Sequence, residues 1–153
     1  MKGKIKFQSG AVEPVNWGTA TKLTAHFTLE EYANPSAPES DKFIWTPQSA
    51  LHASMLEELR IWYAKPMKVN SWYRTPQYNK KVGGISTSNH CLGTATDVAT
   101  GPVTDQQWQH FCDKWRSICE KHGVVGEILR YPTFIHFGSQ ISYSKKFYIE
   151  DKR

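Results

Sequence analysis

The chain has 153 residues, 39% hydrophobic and 13% aromatic, a composition that suits one core-forming domain and excludes an acidic, aromatic-poor disordered chain. Lysine and arginine number 19 against 14 acids; the resulting +5 favours an anionic partner, yet no basic run exceeds a pair such as Lys80-Lys81. No apolar run reaches the ~18 residues of a membrane span, and the basic start Met1 to Lys6 is not followed by the apolar stretch of a secretory signal. Synthesis in a cytoplasm is therefore expected, with any action outside it depending on another route of release. Three cysteines, with no Cys-x-x-Cys pair, argue against both a disulfide framework and a thiolate metal site.

Residues 1–24 show little periodicity and read as a tail or a peripheral strand, with Pro14 and Gly18 as breakers. Thr28-Leu29-Glu30-Glu31 is a capping box that predicts a short helix, ended by the loop Asn34 to Ser40. Thr46-Pro47 reads as N-cap and first residue of a helix running to about Ala64, ahead of Pro66. Its apolar stripe is Leu51, Met55, Leu59 and Trp62, with Leu56 and Tyr63 beside it, and His52 lies there as a partly buried histidine. Met67 to Tyr73 alternates and predicts a strand. Pro76 opens a short helix to about Val82, stopped by Gly83-Gly84. A second capping box, Thr104 to Gln107, precedes Trp108, Phe111, Cys112, Trp115, Ile118 and Cys119 at helical spacing, and Gly123 closes that helix. Val124 to Leu129 and Phe134 to Phe137 are short apolar runs joined across Tyr131-Pro132-Thr133, a β-hairpin. This order predicts an α+β domain with helices on one side of a mostly antiparallel sheet.

The chemistry lies in Ser88-Asn89-His90-Cys91-Leu92-Gly93-Thr94-Ala95-Thr96-Asp97. Gly93 and Ala95 permit a tight turn, so His90 ends a loop and Asp97 sits in a strand folded back beside it. Imidazole nitrogen and carboxylate oxygen then converge on one point, a pairing that zinc accepts at ~2.0–2.2 Å. A catalytic zinc takes three protein ligands and keeps an open position. His136, inside Phe134-Ile135-His136-Phe137, is the best third ligand.

Ser-x-His-x-x-Gly-x-Ala-x-Asp followed by a later strand histidine resembles the zinc D-Ala-D-Ala carboxypeptidase and dipeptidase family, which includes phage endolysins that cleave L-Ala-D-Glu bonds of peptidoglycan. Asn70-Ser71-Trp72-Tyr73-Arg74-Thr75-Pro76-Gln77-Tyr78-Asn79 is similar to the family's Ser-Gly-Tyr-Arg-Ser-Pro-x-x-Asn stretch. His26 to Glu31 is similar to its entry segment, and Arg130 to His136 to the stretch around its last ligand. The likeness runs from about residue 24 to 140, leaving 1–24 as an accessory and 25–150 as the zinc peptidase domain. It implies Zn2+ held by His90, Asp97 and His136. It implies that Arg74 faces the cleft to hold a substrate carbonyl or its oxyanion, and that Ser88 orients substrate or the ligand loop.

The sequence departs from the family at the proton acceptor. Relatives carry an acid or a histidine three residues before the last ligand or two after it, and here those positions are Thr133 and Gly138. Glu127 is the acid of the preceding strand; a hairpin turning at Tyr131-Pro132 sets it directly opposite His136, which makes it the candidate base. Trp72 stands at the family's usual glycine, a change that bears on cleft width or substrate.

The leading expectation is a zinc-dependent peptidase hydrolysing peptidoglycan stem peptides, either a phage endolysin or a D-Ala-D-Ala carboxypeptidase. It would be monomeric, without a specific nucleic-acid partner, and would act on the wall after phage-type release or from a virion. The alternative is a non-catalytic zinc-containing module of the same fold that binds walls or serves structure, which the missing acids favour. Nucleic-acid binding rests on charge alone.

Overall fold

A computed structural model describes residues 1–153. The elements are β1 (Lys2–Lys6), β2 (Val12–Asn16), α1 (Leu29–Ala33), β3 (Phe43–Trp45), α2 (Pro47–Tyr63), β4 (Lys68–Ser71), α3 (Pro76–Lys81), β5 (Ala95–Ala99), α4 (Asp105–Lys121), β6 (Glu127–Arg130), β7 (Ile135–Gly138) and β8 (Tyr148–Asp151). Single 3-10 turns occupy Ser40–Lys42 and Asn89–Leu92. The fold is α+β, as the order of patterns predicts. No helix is long and apolar enough to cross a membrane.

The helices begin where their caps dictate. Thr46, Thr75 and Thr104 each accept a hydrogen bond from the backbone N–H three residues on, satisfying a donor that the first helical turn leaves free. Glu31 and Gln107 complete the two capping boxes by accepting from the backbone N–H of Thr28 and Thr104.

Five strands form the main sheet in the order β4-β5-β7-β6-β8, antiparallel except for the β6–β8 pair. Side chains alternate across a strand, so each strand of the sheet's centre has one residue set per face. Thr96, Val98, Ile128, Ile135 and Phe137 face α2 and α4, and all are buried. Trp115 of α4 packs edge-on against Phe137 and donates its indole N–H to the Gly138 carbonyl at 2.9 Å. The opposite face carries Asp97, Glu127, Leu129 and His136.

Several expectations need correcting. Of the two readings of residues 1–24, a tail or a peripheral strand, the strand holds and the tail does not: β1 and β2 form a hairpin, and β1 pairs in parallel with β3 to make a second sheet, β2-β1-β3. Pro14 lies within β2 rather than breaking it, because β2 is an edge strand whose outer side needs no N–H donor. Strands β3 and β8 carry no periodicity long enough to reveal them. In α2 the buried face keeps Met55 and Leu59 of the predicted stripe and Leu56 beside it but extends over Ser49, His52 and Ala53, while Trp62 is 40% exposed. Polar residues can lie inside because they are satisfied. Ser49 Oγ bonds the Tyr32 hydroxyl at 2.9 Å, and His52 bonds Ser139 Oγ at 2.8 Å and Thr96 Oγ1 at 3.0 Å. Burial, then the neighbouring His136 and His90, push His52 down to about 3, so it is neutral.

The β6–β7 hairpin turns through four residues, Tyr131 to Phe134, rather than two. The Tyr131 N–H donates to the Phe134 carbonyl at 3.0 Å, and the two rings stack at 4.4 Å. Arg130 therefore pairs with Ile135, and Glu127 with Gly138 rather than with His136. A two-residue shift preserves the face, so Glu127 stays diagonal to His136 on the same side.

The burial pattern separates two tryptophans of similar sequence context. Trp115→Ala is expected to cost about 3–5 kcal/mol, and Trp62→Ala about 1 kcal/mol or less, in urea unfolding midpoints. Equal losses would contradict the helix faces described above.

Candidate metal centre

Asp97 of β5 and His136 of β7 are direct cross-strand partners. Their side chains leave the sheet together on the face turned away from the helices. His90 comes from the 3-10 turn Asn89–Leu92, whose N-cap Ser88 accepts the His90 backbone N–H at 3.2 Å. Gly93 ends that turn at φ 71°, and its backbone passes so close to Tyr32 and Ser49 that a Cβ would collide with both hydroxyls. The chain then enters β5. One ligand atom from each of His90, Asp97 and His136 lies within 4.8 Å of the others, and all three residues are buried.

Both imidazoles are held at both ring nitrogens. His90 Nδ1 donates to the Trp72 carbonyl at 2.7 Å, leaving Nε2 toward Asp97 Oδ2 at 3.4 Å. His136 Nδ1 lies 2.9 Å from Asp97 Oδ1, and its Nε2 lies 2.8 Å from Glu127 Oε1. Carbonyl and carboxylate partners of this kind fix the rotation and tautomer of metal-binding histidines. Two nitrogens and one carboxylate oxygen form a donor set that a borderline divalent metal accepts.

Charge in the cluster is tightly coupled. Burial opposes the charge on His136, but the bonds to Asp97 and Glu127 outweigh it and raise the imidazole to about 9. Burial would raise Asp97 and Glu127. Hydrogen bonds from His136 and His90 hold Asp97 well below the carboxylate range, and those from His136 and Tyr143 lower Glu127. His90 is lowered, by burial first.

The cluster lies on the floor of a cleft of about 540 Å³. Arg74 is among the residues lining it. Its Nε donates to Ser71 Oγ at 3.0 Å and its Nη1 to Asn79 Oδ1 at 3.3 Å, while Nη2 lies 3.6 Å from Asp97 Oδ2. Ser88 lines the cleft and caps the ligand turn. Trp72 does not narrow the cleft: it is fully buried, edge-on to Phe27, Tyr32 and His52, with its indole N–H on the Gly93 carbonyl at 2.9 Å. Thr133 is exposed in the hairpin loop.

Gly138 is explained by its cross-strand partner. A Cβ there would meet Glu127 Cγ at 2.5 Å and Oε1 at 2.6 Å, so the Glu127 side chain fills the space above it. Sequence reasoning missed Tyr143, whose hydroxyl donates to Glu127 Oε2, and Tyr148, Glu150 and Lys152, which line the same cleft. Tyr143 stands in an irregular segment, where no periodicity marks it. The β8 residues follow from the parallel β6–β8 pairing, which no local pattern signals.

A metal that takes both imidazoles must displace the His136 proton. Affinity for zinc is therefore expected to rise about tenfold per pH unit between 7 and 9 and then level, with about one proton released per metal at pH 7.5. Calorimetry in buffers of different ionisation enthalpy reads that proton, and a pH-independent affinity across this window would show that His136 is not held protonated in the metal-free site.

No curated protein sequence matches the chain. Residues 25–138 match the Peptidase M15 family, a span that includes Arg74, His90, Asp97, Glu127 and His136 and leaves the β1–β2 hairpin outside. With that match over most of its length and a buried His-Asp-His cluster on the floor of a cleft, the chain belongs to the peptidase M15 family.

Proposed function

We propose that the protein is a zinc-dependent peptidase hydrolysing peptide bonds in the stem peptides of peptidoglycan. The carrying observation is the buried pair of imidazoles and carboxylate in a cleft that also holds a fixed guanidinium and a second carboxylate. Bound zinc supplies a Lewis acid and lowers the pKa of water. The rest is done by the chain. Arg74, held by Ser71 and Asn79, faces the cleft ready to stabilise a carbonyl oxygen as it gains charge. Glu127, held below the ordinary range and so ionised at neutral pH, takes the proton of the attacking water and returns it to the leaving amine. Tyr143 holds its second oxygen.

The position of Glu127 supports this role. Relatives place an acid or a histidine three residues before the last ligand or two after it; the second of these positions is Gly138, whose side-chain space Glu127 fills from the neighbouring strand. The non-catalytic alternative drew on the absence of an acid at 133 and 138, and Glu127 weakens that ground. On the catalytic reading the enzyme meets its substrate in the cell wall after phage-type release or from a virion. Endolysin and carboxypeptidase share this chemistry and differ in the bond cut.

Purified peptidoglycan should release new amino groups in the presence of the protein. Chelation should stop the release and zinc should restore it, with fragment masses naming the bond. No release from several wall types by zinc-loaded protein would overturn the proposal.

Glu127→Gln is expected to keep zinc but lose at least ~10²-fold in turnover. Gly138→Asp alone should also lose activity, since its Cβ collides with Glu127. The pair Glu127→Gly with Gly138→Asp should regain at least ~10-fold over either single change. Near-normal rates in Glu127→Gln would assign the proton to another group.

A further inference from the structure

We propose that the outer face of the β2-β1-β3 sheet is a binding surface for a wall phosphodiester polymer, a chain of polyol phosphates. β1 is the central strand and its residues alternate. Gly3 and Ile5 turn inward, and Gly3 lies so close to the Phe43 ring that a Cβ there would meet it at 2.5 Å. That packing forces Lys2, Lys4 and Lys6 outward in one exposed row, about 6.8 Å apart.

No acid stands directly across from the row in either neighbouring strand. The row's cross-strand partners are Asn16, Pro14 and Val12 on one side and Ile44 on the other. Glu13 pairs with Ile5 and therefore leaves on the opposite face. Asp41 lies at the end of the row, where its Oδ1 accepts the Lys2 backbone N–H at 3.2 Å. None of the three ammonium groups forms an ion pair, whereas Lys42, Lys121 and Lys152 each do. A groove of about 480 Å³ runs beside β3 with Lys2, Lys4 and Lys42 along it and Asp41 as its one acid.

Residues 1–24 carry four lysines and one acid, +3 of the chain's +5. They also lie outside the family match, and none of the three lysines of the row lines the cleft. An evenly spaced line of point charges suits an extended polyanion with regularly spaced phosphates. The one aromatic ring lining the groove, Tyr73, is buried, so the bases of a single-stranded nucleic acid would find no exposed stacking platform there. The choice of a wall polymer rests on the peptidase reading above. Such a tether would hold the enzyme beside its substrate and raise the local concentration of cleavable peptide.

Cosedimentation of the full chain with purified walls tests the surface. One batch of walls keeps its polyol-phosphate polymer and another is stripped of it by hydrofluoric acid. Binding is expected to weaken at least ~10-fold on stripped walls, and by as much on intact walls for the triple variant Lys2→Ser, Lys4→Ser, Lys6→Ser. A control of equal charge change, Lys65→Ser, Lys68→Ser, Lys80→Ser, should stay within about twofold. The triple arginine variant at 2, 4 and 6 should bind as the parent does. Cleavage of a short soluble stem peptide should be unchanged in the row variant, since none of the three lysines lines the cleft. Wild-type binding by the row variant, equal loss in the control, or tighter binding to single-stranded DNA than to isolated polymer would each overturn the proposal. Sedimentation needs no turnover, so a failure of the peptidase reading appears in the cleavage arm alone.

Discussion

The register between β5 and β7 is the constraint on which the rest of the site depends. Asp97 faces His136, Thr96 faces Phe137 and Val98 faces Ile135. Because side chains alternate, a slip of one residue in either strand would turn its ligand into the helical layer and bring core residues into the cleft. The apolar set is fully buried, and Trp115 both packs on Phe137 and bonds the Gly138 carbonyl. Hydrophobic packing on one face of the sheet thus fixes the position of two side chains of the candidate metal site on the other.

The third ligand is tied to the same core by a different device. Trp72 donates from its indole to the Gly93 carbonyl and accepts the His90 ring proton at its own carbonyl. One buried residue therefore holds both the ligand and the end of the turn that carries it. Around it lie Phe27, Tyr32 and His52, so the turn is braced by rings from α1, α2 and the segment before them. Buried polar atoms are costly unless paired, and here pairing and positioning are the same contacts.

Local signals were legible in the sequence wherever they had a local cause. Caps at Thr28, Thr46 and Thr104, Pro76 at the start of α3 and the stripe on α4 follow from neighbouring residues, and the helices begin where these predict. The cluster His90, Asp97, His136 was readable because turn glycines and a strand pattern constrain where each side chain emerges. What depends on distant partners was not. β1, β3 and β8 are strands because of what they pair with, and the inward face of α2 depends on Ser49 and His52 finding acceptors across the core. The hairpin register depended on whether the loop held two residues or four, and the stacking of Tyr131 on Phe134 favours four.

Glu127 and Gly138 show why spacing along one strand is an incomplete guide to chemistry. The two positions are direct cross-strand partners on the cleft face, where opposed Cβ atoms stand ~4.5–5.5 Å apart. A carboxylate placed beside His136 can therefore be rooted on either strand. Only one of the two positions can carry it, because Glu127 already occupies the volume that a Cβ at 138 would need. The other must then be glycine. The glycine that looks like a missing catalytic acid when β7 is read alone is, across the strand pair, the vacancy that admits an acid from β6. Tyr143 then holds that acid from a segment outside both strands, so on the proposed mechanism the proton-handling group is assembled from three parts of the chain.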